Sequence, residues 1–381
     1  MIKTKAAVLH QSGGHARPYT TSKPLHIEEV TLDKPGKEEV LVQIKAAGLC
    51  HSDLSVIDGN RPRPMPMVLG HEAAGIVVEV GEDVTTFKVG DHVIFAFLPS
   101  CGHCVYCASG RAALCDPGAK ANNEGVLLRG ERKIKNKDGE TYYHHLGVSG
   151  FAEYAVASIY SLVKIDPSYP FEIAALFGCA VMTGVGAVVH TAAVKAGESV
   201  LVVGLGGVGL SAILGARAAG ASQIIAADVS ASKLAVAKDY GATSLIDSSE
   251  AGALDRLKQE LTTGGVDKSV EFAGAMPALD FAFQATRKGG VTVTGALPHP
   301  DARLSLNPLL LVGQEKTLKG CYLGSCVPTI DIPNFLALYK SGRLPVDQLI
   351  THRLHLEDIN EGFERLANGD AIRQVIIFDE K

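Results

Sequence analysis

The run Val200-Leu-Val-Val-Gly204-Leu-Gly206-Gly207-Val-Gly209 restricts what this chain can fold into more than any other stretch. Four consecutive apolar residues read as a buried strand, and G-x-G-x-x-G directly after them turns the chain sharply into a helix. Glycine permits that turn and lets the backbone approach a phosphate at the helix N-terminus. The next strand-like run ends at Asp228, 24 residues after Gly204. A carboxylate at that distance accepts hydrogen bonds from an adenosine ribose and repels a 2′-phosphate, which predicts NAD in preference to NADP. A second reading makes Asp228 a cap for a helix starting near Ser230.

The rhythm around this motif predicts an α/β fold. Strand-like runs at 199–204, 223–227, 243–246, 268–272, 291–296 and 317–322 alternate with helical segments such as 233–239 and 277–285. Such alternation gives a doubly wound parallel sheet, expected over 180–322. The part before it is β-rich, with strand-like runs at 40–45 and 74–80 and turns at Gly81 and Gly90. Residues 116–147 are polar and read as a long surface loop, and the tail from 323 carries helices expected at 332–340 and 357–367.

At 381 residues there is chain enough for two cores. Lys+Arg 36 against Asp+Glu 41, with no basic block, argues against nucleic-acid and membrane-surface partners. The apolar stretch 200–219 is broken by five glycines up to Gly215 and by Arg217, so it reads as strand, turn and helix rather than a membrane span. The opening ten residues hold too short an apolar run for a signal peptide, and a cytoplasmic protein is expected. Eight cysteines in a reducing compartment point to metal or reactivity before disulfides.

Four of those cysteines, Cys101, Cys104, Cys107 and Cys115, follow the spacing C-x2-C-x2-C-x7-C. Four thiolates this close form the closed tetrahedral cage that structural Zn²⁺ prefers, and a closed cage catalyses nothing. A second, open site is therefore sought in Cys50-His51-Ser52-Asp53, Gly70-His71-Glu72 and Gly178-Cys179. Singly, each cysteine or histidine has an ordinary core reading. Together, two thiolates and one imidazole make a three-ligand Zn²⁺ site with one position left for water or substrate. His10, His15, His103, His144, His145, Cys321 and Cys326 are read as structural or unligated.

In this order and spacing the motifs resemble those of the zinc-dependent alcohol dehydrogenases of the medium-chain dehydrogenase/reductase superfamily, over nearly the full length. The resemblance implies a GroES-like β-rich catalytic domain from 1–179 and 323–381, with a Rossmann NAD-binding domain at 180–322. It assigns Cys50, His71 and Cys179 to catalytic zinc and the quartet to structural zinc, two Zn²⁺ per chain. Ser52 resembles the residue that takes the substrate proton, Asp53 the partner that orients His71, and Glu72 a carboxylate beside the metal. His51 and Arg373 resemble the cations that hold the pyrophosphate, Thr183 and Val208 resemble residues lining the nicotinamide pocket, and Lys233 resembles a residue near the adenosine ribose. The activity implied is interconversion of an alcohol (primary aliphatic, allylic or aromatic) and its aldehyde or ketone by hydride transfer to NAD. Phe97, with Phe95, Leu98 and Phe151, reads either as a wall of the alcohol pocket or as core. The length of 116–147 resembles dimeric members, so a homodimer is expected.

Two departures qualify the resemblance. Many relatives place a proton-relay His five residues after the zinc Cys, where this chain has Ser55. The glutathione-dependent formaldehyde dehydrogenases carry an Arg shortly after the fourth structural Cys; here Asp116-Pro-Gly-Ala119 follows, and the nearest cation is Lys120. That class stays as an alternative. A non-catalytic zinc or iron–sulfur module is a third reading, against which the seven-residue last gap departs from ferredoxin spacing. Zinc-free reductases of the same fold lack the Cys50, His71 and Cys179 set.

Overall fold

A computed structural model describes residues 1–378 and divides the chain into two compact units. The first comprises Met1–Cys179, Val327–Pro333 and Ile350–Lys381, and the second Ala180–Cys326 and Asn334–Leu349. Residues 323–326 and 334–349 thus fall in the second unit. Tyr240 donates to the carbonyl of Gln348 at 2.7 Å, and the Cys326 thiol lies 3.5 Å from the carbonyl of Met182.

In the first unit, strands Ile2–Leu9 and Leu25–Leu32 pair antiparallel from Ile2 opposite Leu32 to Leu9 opposite Leu25. With Ile134–Lys135, Thr141–His144 and Met67–Val68 they close a small barrel. Alternation along the strands turns Ala6, Val8, Val30 and Leu32 inward onto Leu127, Ile134 and Tyr142, all buried. Residues 116–147 are therefore not the long loop their polarity suggested. They hold helix Asp116–Glu124 and two barrel strands. The helix starts where the Cys115 sulfur accepts from the Gly118 N–H, has Pro in its first turn, and stops at Gly125 with φ 67°.

The second sheet of this unit runs Leu162–Ile165, His92–Phe95, Glu72–Val80, Glu39–Leu49, Arg373–Ile377, Ile350–Leu354, with Tyr154–Ser158 also on Glu39–Leu49. Its register places Gly48 opposite Glu72 and Leu49 opposite Gln374. The chain passes from that end of the central strand into Cys50, so one end of the sheet collects Cys50, Glu72 and Arg373.

The second unit is a six-stranded sheet, parallel throughout, in the order Ser244–Asp247, Gln223–Asp228, Ser199–Val203, Val266–Glu271, Thr286–Thr294, Thr317–Gly320. Numbered by sequence within the unit this is 3-2-1-4-5-6, which reverses beside Ser199–Val203 and marks a nucleotide crevice at its C-terminal end. Leu201, Val203, Ile225, Ala227 and Ile246 are wholly buried against Leu257, Ala282 and Ala285. No helix among the described residues is long and apolar enough to cross a membrane.

Candidate metal centres and nucleotide cradle

Three local features deliver the ligands of the open centre. Cys50 ends the central strand and caps helix His51–Ile57 in an extended conformation. Gly70, at φ 93°, packs where a Cβ would meet the Phe151 nitrogen at 2.5 Å, so the chain can turn there and present His71. At Gly178 a Cβ would lie 2.4 Å from the Phe95 carbonyl, so only glycine lets the chain bring Cys179 this close to the sheet. The ligand atoms of Cys50, His71, Glu72 and Cys179 lie within 4.8 Å of one another, and all four residues are buried.

These side chains are buried together with bonding capacity unmet. The His71 Nε2 atom is buried without a hydrogen-bond partner and sits 3.9 Å from Glu72 Oε1. Contact with Cys179 holds the Cys50 thiol well below its ordinary range against the opposing effect of burial. Burial pushes the Glu72 carboxyl up to about 7 even though Arg373 pulls it down. Two sulfurs, an orphaned imidazole nitrogen and a nearby carboxylate fit Zn²⁺ in both ligand type and number.

His71 is fixed from behind. Its Nδ1 lies 3.0 Å from Asp53 Oδ2, and Asp53 Oδ1 accepts from the Gly70 N–H at 3.1 Å. A third group, His145, joins them, although its sequence context predicts only a structural role. Its Nδ1 lies 3.1 Å from Asp53 Oδ1 and its ring meets His71 edge to face, centroids 5.6 Å apart. The adjacent His144 turns away and accepts from the Lys133 N–H at 3.0 Å. The sequence signal was only a His pair at a strand end, where alternation guarantees that the two rings face opposite ways.

The remaining expected residues divide. Ser52 is half-buried and His51 exposed in the first turn of their helix. The Ser55 hydroxyl donates to the His51 carbonyl at 2.8 Å, so it is engaged within the helix. Arg373 is buried in an ion pair with Glu72, and Gly48 leaves room for both side chains. Phe97 meets His71 edge to face at 5.5 Å, whereas Phe95 and Phe151 are wholly buried in the core.

The quartet forms a second cluster with Sγ atoms within the same 4.8 Å limit. Backbone N–H groups of Cys101, Cys104, Cys107 and Gly118 donate to the sulfurs of Cys115, Cys101 and Cys104 at 3.3–3.5 Å; the bond from the Cys107 N–H brings the Cys104 thiol down to about 6, while burial pushes Cys107 up to about 12. His103 makes its contact with the Cys101 carbonyl and adds no ligand.

In the second unit the three motif glycines differ in role. Gly204 has φ 88° and abuts Ala273, Gly206 faces open space, and a Cβ on Gly209 would lie 1.9 Å from the Gly204 carbonyl. Turn, ligand approach and close helix–strand packing are thus separated along the motif. Asp228 accepts from the Leu205 N–H at 2.8 Å and the Ser230 N–H at 2.9 Å, pinning the turn as well as the following helix start. Gly207 and Val208 open helix Gly207–Ala218, and Val208 packs on Gly184, next to Thr183, while Lys233 lies half-buried in helix Ala231–Ala237.

A model of the alcohol dehydrogenase GroES-like domain matches residues 36–167, and one of zinc-binding dehydrogenases matches 207–341. An NDMA-dependent alcohol dehydrogenase of Amycolatopsis methanolica is 40% identical, covering 99% of both chains. The chain belongs to the zinc-dependent medium-chain dehydrogenase/reductase family. Within that family an S-(hydroxymethyl)glutathione dehydrogenase of Saccharomyces cerevisiae is 39% identical over 95% of each chain. The crystal structure of benzyl alcohol dehydrogenase from Acinetobacter calcoaceticus superposes with a TM-score of 0.92, at 31% identity and full coverage of both chains. The fold is the family's GroES-like unit plus a Rossmann-like α/β unit, and the protein is an oxidoreductase of the alcohol dehydrogenase type.

Proposed function

We propose that the chain is a zinc- and NAD-dependent alcohol dehydrogenase with two Zn²⁺ per chain, acting on primary aliphatic, allylic or aromatic alcohols. The buried cluster Cys50, His71, Glu72 and Cys179, with the His71 Nε2 left without a partner, carries this reading. When bound there, Zn²⁺ supplies a Lewis acid that polarises the alcohol or carbonyl oxygen. NAD, held at the glycine turn, would supply the hydride acceptor. The chain's own residues do the rest. Asp53 keeps the His71 ring oriented, with Nδ1 toward the carboxylate and Nε2 toward the two sulfurs. Ser52 takes the substrate proton, and its half-buried place in the first turn supports that role. Because the Ser55 hydroxyl is committed to the His51 carbonyl, the proton leaves by a route other than the relay histidine of many relatives.

Asp228 supports NAD over NADP, since its carboxylate stands at the end of the strand following the glycine turn. Thr183, Val208 and Lys233 are assigned to the nicotinamide and ribose ends, with Gly204, Gly206, Gly207 and Gly209 at the pyrophosphate. His51 is assigned to the pyrophosphate as well. Arg373, paired with Glu72, is assigned to the pyrophosphate too.

A homodimer is supported by the edge strand Thr317–Gly320, paired on one side only, and by Leu309 and Val312, 75% and 74% exposed nearby in sequence. All eight cysteines are free, in keeping with a reducing, cytoplasmic setting.

The yeast relative raises S-hydroxymethylglutathione as a second substrate. After Cys115 this chain has Asp116-Pro-Gly starting a helix in place of an Arg, and the next cation, Lys120, lies 4.0 Å from Glu124, which disfavours the tripeptide carboxylate. The deciding experiment counts zinc per chain and follows NADH formation across an alcohol panel that includes S-hydroxymethylglutathione, with and without NDMA. Two zincs and alcohol-dependent NADH formation are expected; one zinc per chain, or turnover of the glutathione adduct alone, overturns the reading.

A further inference from the structure

The closed barrel carries an unassigned cluster at one end. Inward positions on its first two strands are apolar at Ala6, Val8, Val30 and Leu32. In the register, Ala6 stands opposite Glu28 and Val8 opposite His26, so these two share the inward side. His10 continues the same alternation one residue past Leu9. The inward row therefore changes from aliphatic to His, His and Glu at the barrel's mouth. Ligand atoms of His10, His26 and Glu28 lie within 4.8 Å of one another. His10 Nε2 is 2.5 Å from Glu28 Oε1, and the His10 and His26 rings meet edge to face at 5.4 Å. Tyr142, a residue of the barrel core, donates its hydroxyl to Glu28 Oε2 at 3.2 Å, which orients the carboxylate from behind.

We propose that His10, His26 and Glu28 form a third, peripheral metal site, selective for an imidazole-preferring divalent transition ion such as Zn²⁺. Two imidazoles and one carboxylate are the ligand set of open zinc sites, and imidazole donors disfavour Mg²⁺ and Ca²⁺. An ion pair alone does not explain the cluster, because His10 is 41% and Glu28 29% exposed and such pairs contribute little. It also leaves a second imidazole gathered onto the same carboxylate. Two of the ligands lie two residues apart on one strand, and the third follows the neighbouring strand, so the hydrogen-bonded register fixes the triangle in advance. Exposure leaves the remaining coordination positions to water, and bound metal ties the first two strands together at the mouth.

The site is independent of the proposed catalytic function and is tested on the protein with its native zinc in place. Zn²⁺ is titrated calorimetrically into wild type, His10→Ala/His26→Ala and Glu28→Gln, with Mg²⁺ as control. Wild type is expected to take one further Zn²⁺ per chain, with no Mg²⁺ uptake, and to show a Tm that rises with free Zn²⁺. Each variant should weaken that event by at least about tenfold, since losing a ligand costs more than losing an outer partner. Equal stoichiometry and affinity in wild type and the double variant would overturn the proposal. Should the double variant alter the fold, His26→Ala alone, at an exposed position, gives the same readout.

Discussion

His145→Phe separates a positioning role in the open centre from simple packing. The substitution keeps a flat ring edge-on to His71 and removes the Nδ1 group that lies 3.1 Å from Asp53 Oδ1. Asp53 is wholly buried, and its other neighbours are the Gly70 N–H and the His71 Nδ1. Stripping a donor from a buried carboxylate costs about 1–3 kcal/mol. Asp53 reaches the metal only through His71, so the cost should appear in zinc affinity. At about 1.4 kcal/mol per decade it corresponds to roughly five- to 150-fold, which brackets the ten- to hundredfold range known for outer partners of metal-ligating histidines. The assay is competition with a chelator while zinc per chain is counted, the Cys101–Cys115 cage serving as internal reference. One zinc should leave His145→Phe more readily while the other stays, and His145→Asn, whose side-chain amide replaces Nδ1, should restore retention. Wild-type retention in His145→Phe, parallel weakening of both zincs, or failure of the Asn variant to rescue would refute the argument.

Three further outcomes are expected. Asp228→Ser should raise the NADP to NAD ratio of kcat/KM, because the ribose carboxylate is removed; an unchanged ratio in steady-state kinetics would reject Asp228 as the discriminator. Ser55→His should raise activity near neutral pH more than at alkaline pH, and a pH–rate profile identical to wild type would place position 55 outside the proton route. Burial, reinforced by Lys133 and Arg132, lowers the His144 pKa to about 3, and its Nε2 accepts from the Lys133 N–H. The folded pKa lies below that of the unfolded chain, so this contribution is complete above about pH 6.5 and is lost as pH falls toward 3, at about 1.4 kcal/mol per unit. Urea unfolding at pH 7 and pH 5 should therefore show a loss smaller by about 2 kcal/mol in His144→Gln, which keeps an acceptor and cannot titrate; equal losses would contradict the buried neutral ring.

What the sequence could disclose depended on how local each interaction is. The quartet lies within fifteen residues, so its spacing alone announces the cage, and the glycine turn with Asp228 lies within one strand–helix–strand unit. Cys50, His71 and Cys179 are drawn together by sheet register and by backbone approaches at Gly70 and Gly178 that no spacing encodes. Resemblance to a family, not periodicity, grouped them. Residues 116–147 misled because strands two and four residues long give almost no alternating pattern. Their partners, moreover, lie near the N-terminus and at residues 67–68. The same misreading hid His145. Once Thr141–His144 is a barrel strand rather than a loop, alternation sends His144 to the Lys133 amide and leaves His145 free to turn toward Asp53. A His pair that looked redundant in a polar loop thus divides into a neutral acceptor bracing the barrel and a second ring set against the carboxylate that orients His71.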